Sequence, residues 1–188
     1  MNIPNSLTLI RIFLIPVFVV AFYLPFSWNN LLATAIFSLA ALTDLLDGYF
    51  ARKLGQISKL GAFLDPVADK LMVAVVLVLV VQEHPTIMLA LPAAVIIGRE
   101  ITVSALREWM AELGARRKVA VSFIGKFKTV SQMVALILLI YREPLLGLPI
   151  FRLGMIALYI AAILTLVSMV QYLIMAWPEL SDRKNSNP

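Results

Sequence analysis

Four aspartates within 26 residues are the side chains of this sequence best suited to chemistry, and they are Asp44, Asp47, Asp65 and Asp69. The first two are three residues apart and the last two are four apart, so each pair would share one face of a helix. Carboxylates in apolar segments are costly and indicate a functional site, where they bind cations or share protons. Oxygen ligands of this kind favour Mg²⁺, Mn²⁺ or Ca²⁺, and two such ions would form a site suited to phosphoryl transfer.

Other interpretations of these aspartates compete with metal binding. One is a set of interhelical salt bridges with nearby bases, which are Arg52, Lys53, Lys59 and Lys70. Most of these bases lie at the rim of the apolar segments and would leave the deeper Asp44 unneutralised. Another is a proton- or cation-coupled transporter, a class that often has inverted repeats and acids near the membrane midplane. The sequence has no visible repeat, and its aspartates cluster towards one side. A scaffold subunit would leave the aspartates unexplained.

Membrane helices are the elements that would position these side chains. Hydrophobic residues make up 61% of the 188 residues, charged residues make up 14%, and the apolar residues form long blocks. Six blocks are each close to the ~20 residues that a transmembrane helix needs. They span residues 8–26, 31–51, 61–81, 86–106, 119–141 and 150–177. We predict an all-α polytopic membrane protein with six transmembrane helices in a single domain, 1–188. The opening N-I-P-N-S suits a short segment on the membrane surface.

The second and third predicted spans would form an antiparallel hairpin that gathers the aspartates. At a rise of 1.5 Å per residue, Asp47 and Asp65 would lie at similar shallow depths, with Asp44 and Asp69 roughly 12 Å in. Gly48 and Gly61 lie one turn from an aspartate, and small residues at such positions permit close helix approach or leave room for a ligand.

Basic residues predict the orientation of the chain in the membrane. Nine of the 16 Lys and Arg residues fall in the even-numbered loops and the C-terminal tail, whereas only Arg142 and Arg152 fall on the opposite side. By the positive-inside rule, both termini and the aspartates face the cytoplasm. The single histidine, His84, then lies in a loop on the opposite side, and the sequence has no cysteine. A carboxylate would therefore have to act as the general base.

Several cationic residues interrupt apolar spans or lie at their cytoplasmic ends. Those in spans four and five are Arg99, Arg107, Lys126 and Lys128. Charges within a span usually face a polar cavity, so we predict that these residues meet an anion there. In span one, Thr8 and Arg11 are one turn apart. They could contact substrate phosphates, or they could cap the helix and extend towards the membrane surface.

The aspartate segment resembles the signature of the CDP-alcohol phosphotransferases, D-x-x-D-G-x-x-A-R-x8-G-x-x-x-D-x-x-x-D. Every spacing is kept, and the eight specified positions include Gly48, Ala51, Arg52 and Gly61. The resemblance extends to N-I-P-N-S-L-T-L-I-R near the start, to G-R-E-I-T-V-S-A-L-R-E-W-M-A-E-L-G in the middle and to I-G-K-F-K-T in span five. Within the family, these segments are similar to the corresponding segments of the bacterial enzymes that use glycerol 3-phosphate.

The resemblance implies a six-helix enzyme, usually a homodimer, in the bacterial cytoplasmic (inner) membrane. It implies that the sn-1 hydroxyl of glycerol 3-phosphate attacks the β-phosphorus of CDP-diacylglycerol and releases CMP. Two divalent cations, Mg²⁺ or Mn²⁺, would lie among Asp44, Asp47, Asp65 and Asp69, with Asp69 as the base. The CDP pocket would be lined by Gly48, Ala51, Arg52 and Gly61.

The partners implied by this resemblance are CDP-diacylglycerol, glycerol 3-phosphate and membrane lipid, and no nucleic acid partner is expected. The cationic residues of spans four and five would bind the acceptor phosphate. Relatives with the same signature use other acceptors, such as inositol phosphate, so the alternative is the same chemistry with another acceptor alcohol.

Overall fold

The computed structural model describes the backbone of residues 3–54, 59–112 and 123–181. Among these, the side chains of 3–5, 45, 47–54, 59–60, 62–63, 65, 123–126 and 178–181 are not described. The described backbone forms six helices and no β-strand. They are α1 (Ile3–Tyr23), α2 (Asn29–Leu54), α3 (Lys59–Glu83), α4 (Ile87–Glu112), α5 (Phe123–Tyr141) and α6 (Ile150–Ser181). Each helix overlaps one predicted span, which confirms the all-α prediction.

Three helices in the described part of the chain are long and apolar enough to cross a membrane. The qualifying stretches are Ser6–Tyr23, Ile87–Glu112 and Ile150–Trp177, and α5 adds a shorter apolar stretch, Phe127–Tyr141. These lengths and compositions are those of a membrane protein. Six spans in all remain a prediction.

The first helix runs without a break from Ile3 to Tyr23, and it contains Pro16. A short N-terminal segment on the membrane surface stays a prediction, and in the described backbone residues 3–5 belong to α1. Pro4 falls in the first turn, where the missing N–H of proline removes no helical hydrogen bond, so the helix can begin this early.

The apolar core contains buried side chains from all six of the described helices. Its fully buried side chains include Phe18, Phe37, Val76, Leu136 and Leu158. The most extensive helix contacts join α5 to α6 and α1 to α2. A larger residue is not easily accommodated in place of Gly154 in α6, because its Cβ atom would lie 2.9 Å from Cγ of Leu139 in α5.

Polar contacts tie the helices together at the end of the bundle that holds the α5–α6 loop. Arg142 forms an ion pair with Glu83 and donates a hydrogen bond to Oδ1 of Asn30, while Nδ2 of Asn30 lies 3.2 Å from Oε1 of Glu143. Burial lowers the pKa of the Arg142 guanidinium, and the neighbouring Glu143 opposes this change. Arginine stays charged at neutral pH, so the contact remains ionic.

Candidate functional site

Asp44 of α2 and Asp69 of α3, which we call the acid pair, meet at one guanidinium group. Nη1 of Arg11 in α1 lies 3.1 Å from Oδ1 of Asp44, and the same nitrogen forms an ion pair with Oδ1 of Asp69. The structure therefore brings together the two aspartates that lie deepest in the predicted hairpin of spans two and three. Their side chains are 31% and 37% exposed, so both remain accessible from the cavity described below.

Arg11 is 1% exposed, which is incompatible with a side chain that extends to the membrane surface. Thr8, one turn earlier on the same helix, is fully buried. The salt-bridge interpretation considered only bases close to the aspartates in sequence, whereas the described cation on the acid pair comes from α1. A buried guanidinium requires an anionic partner, and the two carboxylates supply it.

Several predicted site residues lie outside the described side chains. They are Asp47, Gly48, Ala51, Arg52, Asp65 and Lys126. Gly61 is described and buried. Among the side chains that the structure describes, no group of three or more His, Cys, Asp or Glu residues could hold a metal ion. The predicted set of four aspartates is therefore untested.

The acid pair nonetheless fits a hard cation. Both residues offer carboxylate oxygens, which are the ligands that Mg²⁺ and Mn²⁺ prefer. The guanidinium group of Arg11 already lies against these two carboxylates. With two carboxylates and one guanidinium, these three side chains carry a net charge of −1, so the position favours added positive charge.

The acid pair borders a cavity of about 360 Å³, which we call the polar cavity. Its wall also includes cationic side chains from three helices, which are Lys70, Arg99, Arg107 and Lys128. We call Arg99, Arg107 and Lys128 the cationic cluster. The structure thus places three of the four predicted anion-binding residues in the same cavity as two of the four aspartates.

Glu100 connects two members of the cationic cluster. Its Oε1 accepts a hydrogen bond from Nζ of Lys128 and lies 3.1 Å from Nη1 of Arg99. Nη2 of Arg99 also donates a 2.8 Å hydrogen bond to Oγ of Ser168 in α6. Lys128 is 5% exposed and Arg99 is 7% exposed, so both need such partners. Three cations and one carboxylate leave a net charge of +2 beside the cavity.

Tyr172 of α6 forms the other support of the cationic cluster. Arg107 donates a hydrogen bond to its hydroxyl group, and Cζ of Arg107 lies 4.9 Å from the centre of its ring. Cζ of Arg99 lies 5.6 Å from the same ring centre. Cation–π contacts of this kind are stronger when desolvated, and Tyr172 is only 2% exposed.

Sequence reasoning missed the contribution of α6, because its apolar residues indicated only lipid contact or core packing. Ser168 and Tyr172 were the available signal, since they are polar, lie one turn apart and would share one face of an apolar helix. Outside the polar cavity, the ring of His84 packs on Phe151 at a centroid distance of 4.7 Å. His84 is not among the residues that line the cavity.

Residues 1–168 match the model of a protein family described as CDP-alcohol phosphatidyltransferase. The chain is also similar to curated bacterial proteins named CDP-diacylglycerol–glycerol-3-phosphate 3-phosphatidyltransferase. The relative from Pseudomonas fluorescens is 56% identical over 181 residues, which cover 96% of this chain and 92% of the relative.

Two further relatives with the same name show similar coverage. The relative from Pectobacterium atrosepticum is 57% identical over 172 residues, covering 92% of this chain and 93% of its own length. The relative from Salmonella typhimurium is 52% identical over 182 residues, covering 97% and 98%.

Proposed function

This chain belongs to the CDP-alcohol phosphatidyltransferase family, and from that premise we propose that it transfers the phosphatidyl group of CDP-diacylglycerol to glycerol 3-phosphate. The products are phosphatidylglycerophosphate and CMP. The single observation that carries this proposal is the polar cavity, in which carboxylates suited to a metal ion and cations suited to a phosphate lie together. A reaction between a diphosphate donor and a phosphorylated alcohol requires both.

Asp44 and Asp69 would hold divalent cations, together with Asp47 and Asp65 as the sequence predicts. Two such ions, Mg²⁺ or Mn²⁺, would neutralise the diphosphate of the donor and stabilise charge in the transition state. Gly48, Ala51, Arg52 and Gly61 would line the CDP pocket, as the family signature implies.

Asp69 is the proposed base that accepts the proton of the attacking hydroxyl. It borders the polar cavity, and His84 does not. Asp69 also pairs with Arg11, and a carboxylate oxygen held by a guanidinium is a poor proton acceptor. The proton would therefore have to go to the other carboxylate oxygen, or Arg11 would have to release this one.

The cationic cluster would bind the phosphate of glycerol 3-phosphate, with Lys126 as a further predicted member. The +2 net charge of Arg99, Arg107, Lys128 and Glu100 matches a phosphate dianion. Glu100 and Tyr172 would hold the cations in place before the substrate binds, which lowers the cost of ordering them.

Arg107→Gln is expected to raise the KM for glycerol 3-phosphate by roughly tenfold to a hundredfold, because a hydrogen bond between charged groups contributes about 1.5–3 kcal/mol. The KM for CDP-diacylglycerol should change much less. Steady-state CMP release with each substrate varied in turn measures both constants. Arg152→Gln is a matched control, since Arg152 is an exposed arginine outside the polar cavity. Equal increases in both KM values would contradict the assignment.

Arg11→Gln is expected to tighten Mn²⁺ binding by roughly fivefold or more. Arg11 lies against the acid pair, and even in water a unit charge 4 Å away contributes about 1 kcal/mol of repulsion. Electron paramagnetic resonance titration of free Mn²⁺ against detergent-solubilised protein measures the Kd directly. Weaker Mn²⁺ binding by the variant would show that Arg11 organises the carboxylates instead of competing with the metal. Once displaced, Arg11 would be free to contact substrate phosphates.

We further propose six membrane spans, with both termini and the polar cavity facing the cytoplasm, in the inner membrane of a bacterium. The distribution of basic residues and the bacterial sources of the relatives support this placement. The single domain, 1–188, is proposed because the sequence shows no internal repeat or linker, and the homodimer is proposed from the family resemblance.

Activity assays with purified protein, each with a single acceptor, test the proposed acceptor. CDP-diacylglycerol in mixed micelles is offered with glycerol 3-phosphate, inositol phosphate or serine, and CMP release is measured. We expect release with glycerol 3-phosphate and little with the others. Preferential use of inositol phosphate would keep the reaction class and overturn the acceptor.

A further inference from the structure

Gln132 of α5 is a buried polar residue that lines the polar cavity and has no role in the reaction described above. Its side chain is 4% exposed. Its Oε1 atom is buried and accepts no hydrogen bond from any residue that the structure describes. Buried acceptors are nearly always satisfied, so this atom would gain from a hydrogen-bond donor that reaches the cavity wall.

The position of Gln132 along α5 indicates what kind of donor this is. Lys128 precedes Gln132 by one turn, and both line the polar cavity. Residues at this spacing have Cβ atoms about 5–6 Å apart on one helix face. Met133, the next residue, borders both the polar cavity and a smaller gap beside Arg11 and the acid pair. Gln132 therefore lies within the wall that joins the cationic cluster to the acid pair.

Suppose that a substrate places its phosphate at the cationic cluster and its reacting hydroxyl at the acid pair. Its central carbon then lies beside this wall. In glycerol 3-phosphate, that carbon carries the 2-hydroxyl. The 1-hydroxyl loses its proton when it attacks, whereas the 2-hydroxyl keeps its proton throughout and can donate to an amide oxygen in both the ground state and the transition state.

We propose that Gln132 binds the acceptor substrate by accepting a hydrogen bond from the 2-hydroxyl of glycerol 3-phosphate. This inference rests on the proposed function. The folded protein already bears the cost of removing Oε1 from water, so the bond forms without a further desolvation cost on the protein side. A site built in this way selects against acceptors that lack the hydroxyl.

The test compares glycerol 3-phosphate with 3-hydroxypropyl phosphate, which keeps the phosphate and the primary hydroxyl but lacks the 2-hydroxyl. The measured quantity is the ratio of kcat/KM for the two acceptors, obtained from CMP release. In the wild-type protein, we expect a ratio of roughly tenfold or more in favour of glycerol 3-phosphate. In Gln132→Met, which keeps the side-chain length and removes the acceptor oxygen, the ratio should fall towards one.

Thr165→Val is the matched control. Thr165 of α6 also has a buried side-chain oxygen without a hydrogen-bond partner in the described part of the chain, but it does not line the polar cavity. This variant should keep the wild-type ratio. If Gln132→Met does not fold, Gln132→Leu provides the same comparison, and the wild-type ratio alone remains informative.

The outcomes separate this inference from the function on which it rests. Normal turnover of glycerol 3-phosphate with a wild-type ratio near one would overturn only the role of Gln132. An unchanged ratio in Gln132→Met would do the same, because a purely structural effect lowers kcat/KM for both acceptors equally. Absence of CMP release with glycerol 3-phosphate in the wild-type protein would overturn the proposed function together with this inference.

Discussion

Asp44→Ala is expected to reduce CMP release by about a thousandfold, since metal ions contribute several kcal/mol of transition-state stabilisation and each 1.36 kcal/mol is a factor of ten. The structure gives the reason for so large an effect. Asp44, Asp69 and Arg11 carry a net charge of −1, and removal of one carboxylate leaves a neutral pair of Asp69 and Arg11. A neutral ion pair offers a divalent cation little attraction. Mn²⁺ titration should therefore show weakened binding in the same variant.

Glu112→Ala is the control for this prediction, because Glu112 is an exposed carboxylate that does not line the polar cavity. Its activity and its Mn²⁺ binding should match those of the wild-type protein. Excess chelator should also abolish CMP release by the wild-type protein, and added Mg²⁺ or Mn²⁺ should restore it. Full activity in excess chelator would overturn the metal-dependent mechanism.

Asp69→Asn is expected to lower kcat by roughly 10²- to 10⁴-fold, the range that general base catalysis contributes. Asparagine keeps the size of the side chain and one oxygen that can bind a metal, but it cannot accept the proton. At saturating Mn²⁺, the variant should therefore still bind the metal and CDP-diacylglycerol while its turnover stays low. Binding is measured by Mn²⁺ titration and by retention of radiolabelled donor, and turnover is measured by CMP release.

Asp44→Asn is the matched comparison for the proposed base. It should lose a similar amount of Mn²⁺ affinity, because it also removes one carboxylate charge, but saturating Mn²⁺ should restore most of its activity, because Asp44 is proposed to act only as a ligand. If Asp69→Asn loses metal binding in the same proportion as activity, Asp69 is chiefly a ligand, and the proton must leave by another route. Equal behaviour of the two variants would thus remove the distinction between ligand and base.

Much of the fold could be predicted because blocks of about 20 apolar residues permit few structures. A chain in lipid must satisfy its backbone hydrogen bonds internally, which makes each block a helix. The short connection between α2 and α3 favours opposite directions for these helices, so the spacing predicted that Asp44 and Asp69 lie close together. It did not predict that Arg11 of α1 joins them. Charged residues within the apolar blocks, such as Arg99 and Lys128, indicated in the same way that a polar cavity exists.

The sequence by itself thus determined the helices, the acid pair and the presence of cations in the cavity. Only the tertiary structure decided which distant residues complete the site. Arg11 contacts Asp69 across 58 positions, and Arg99 contacts Ser168 across 69. Such contacts depend on how each helix is rotated about its axis. A helix that is apolar all the way round, like most of α6, carries little pattern to indicate that rotation. Packing against α4 and α5 sets it, and so places Tyr172 in the cavity wall.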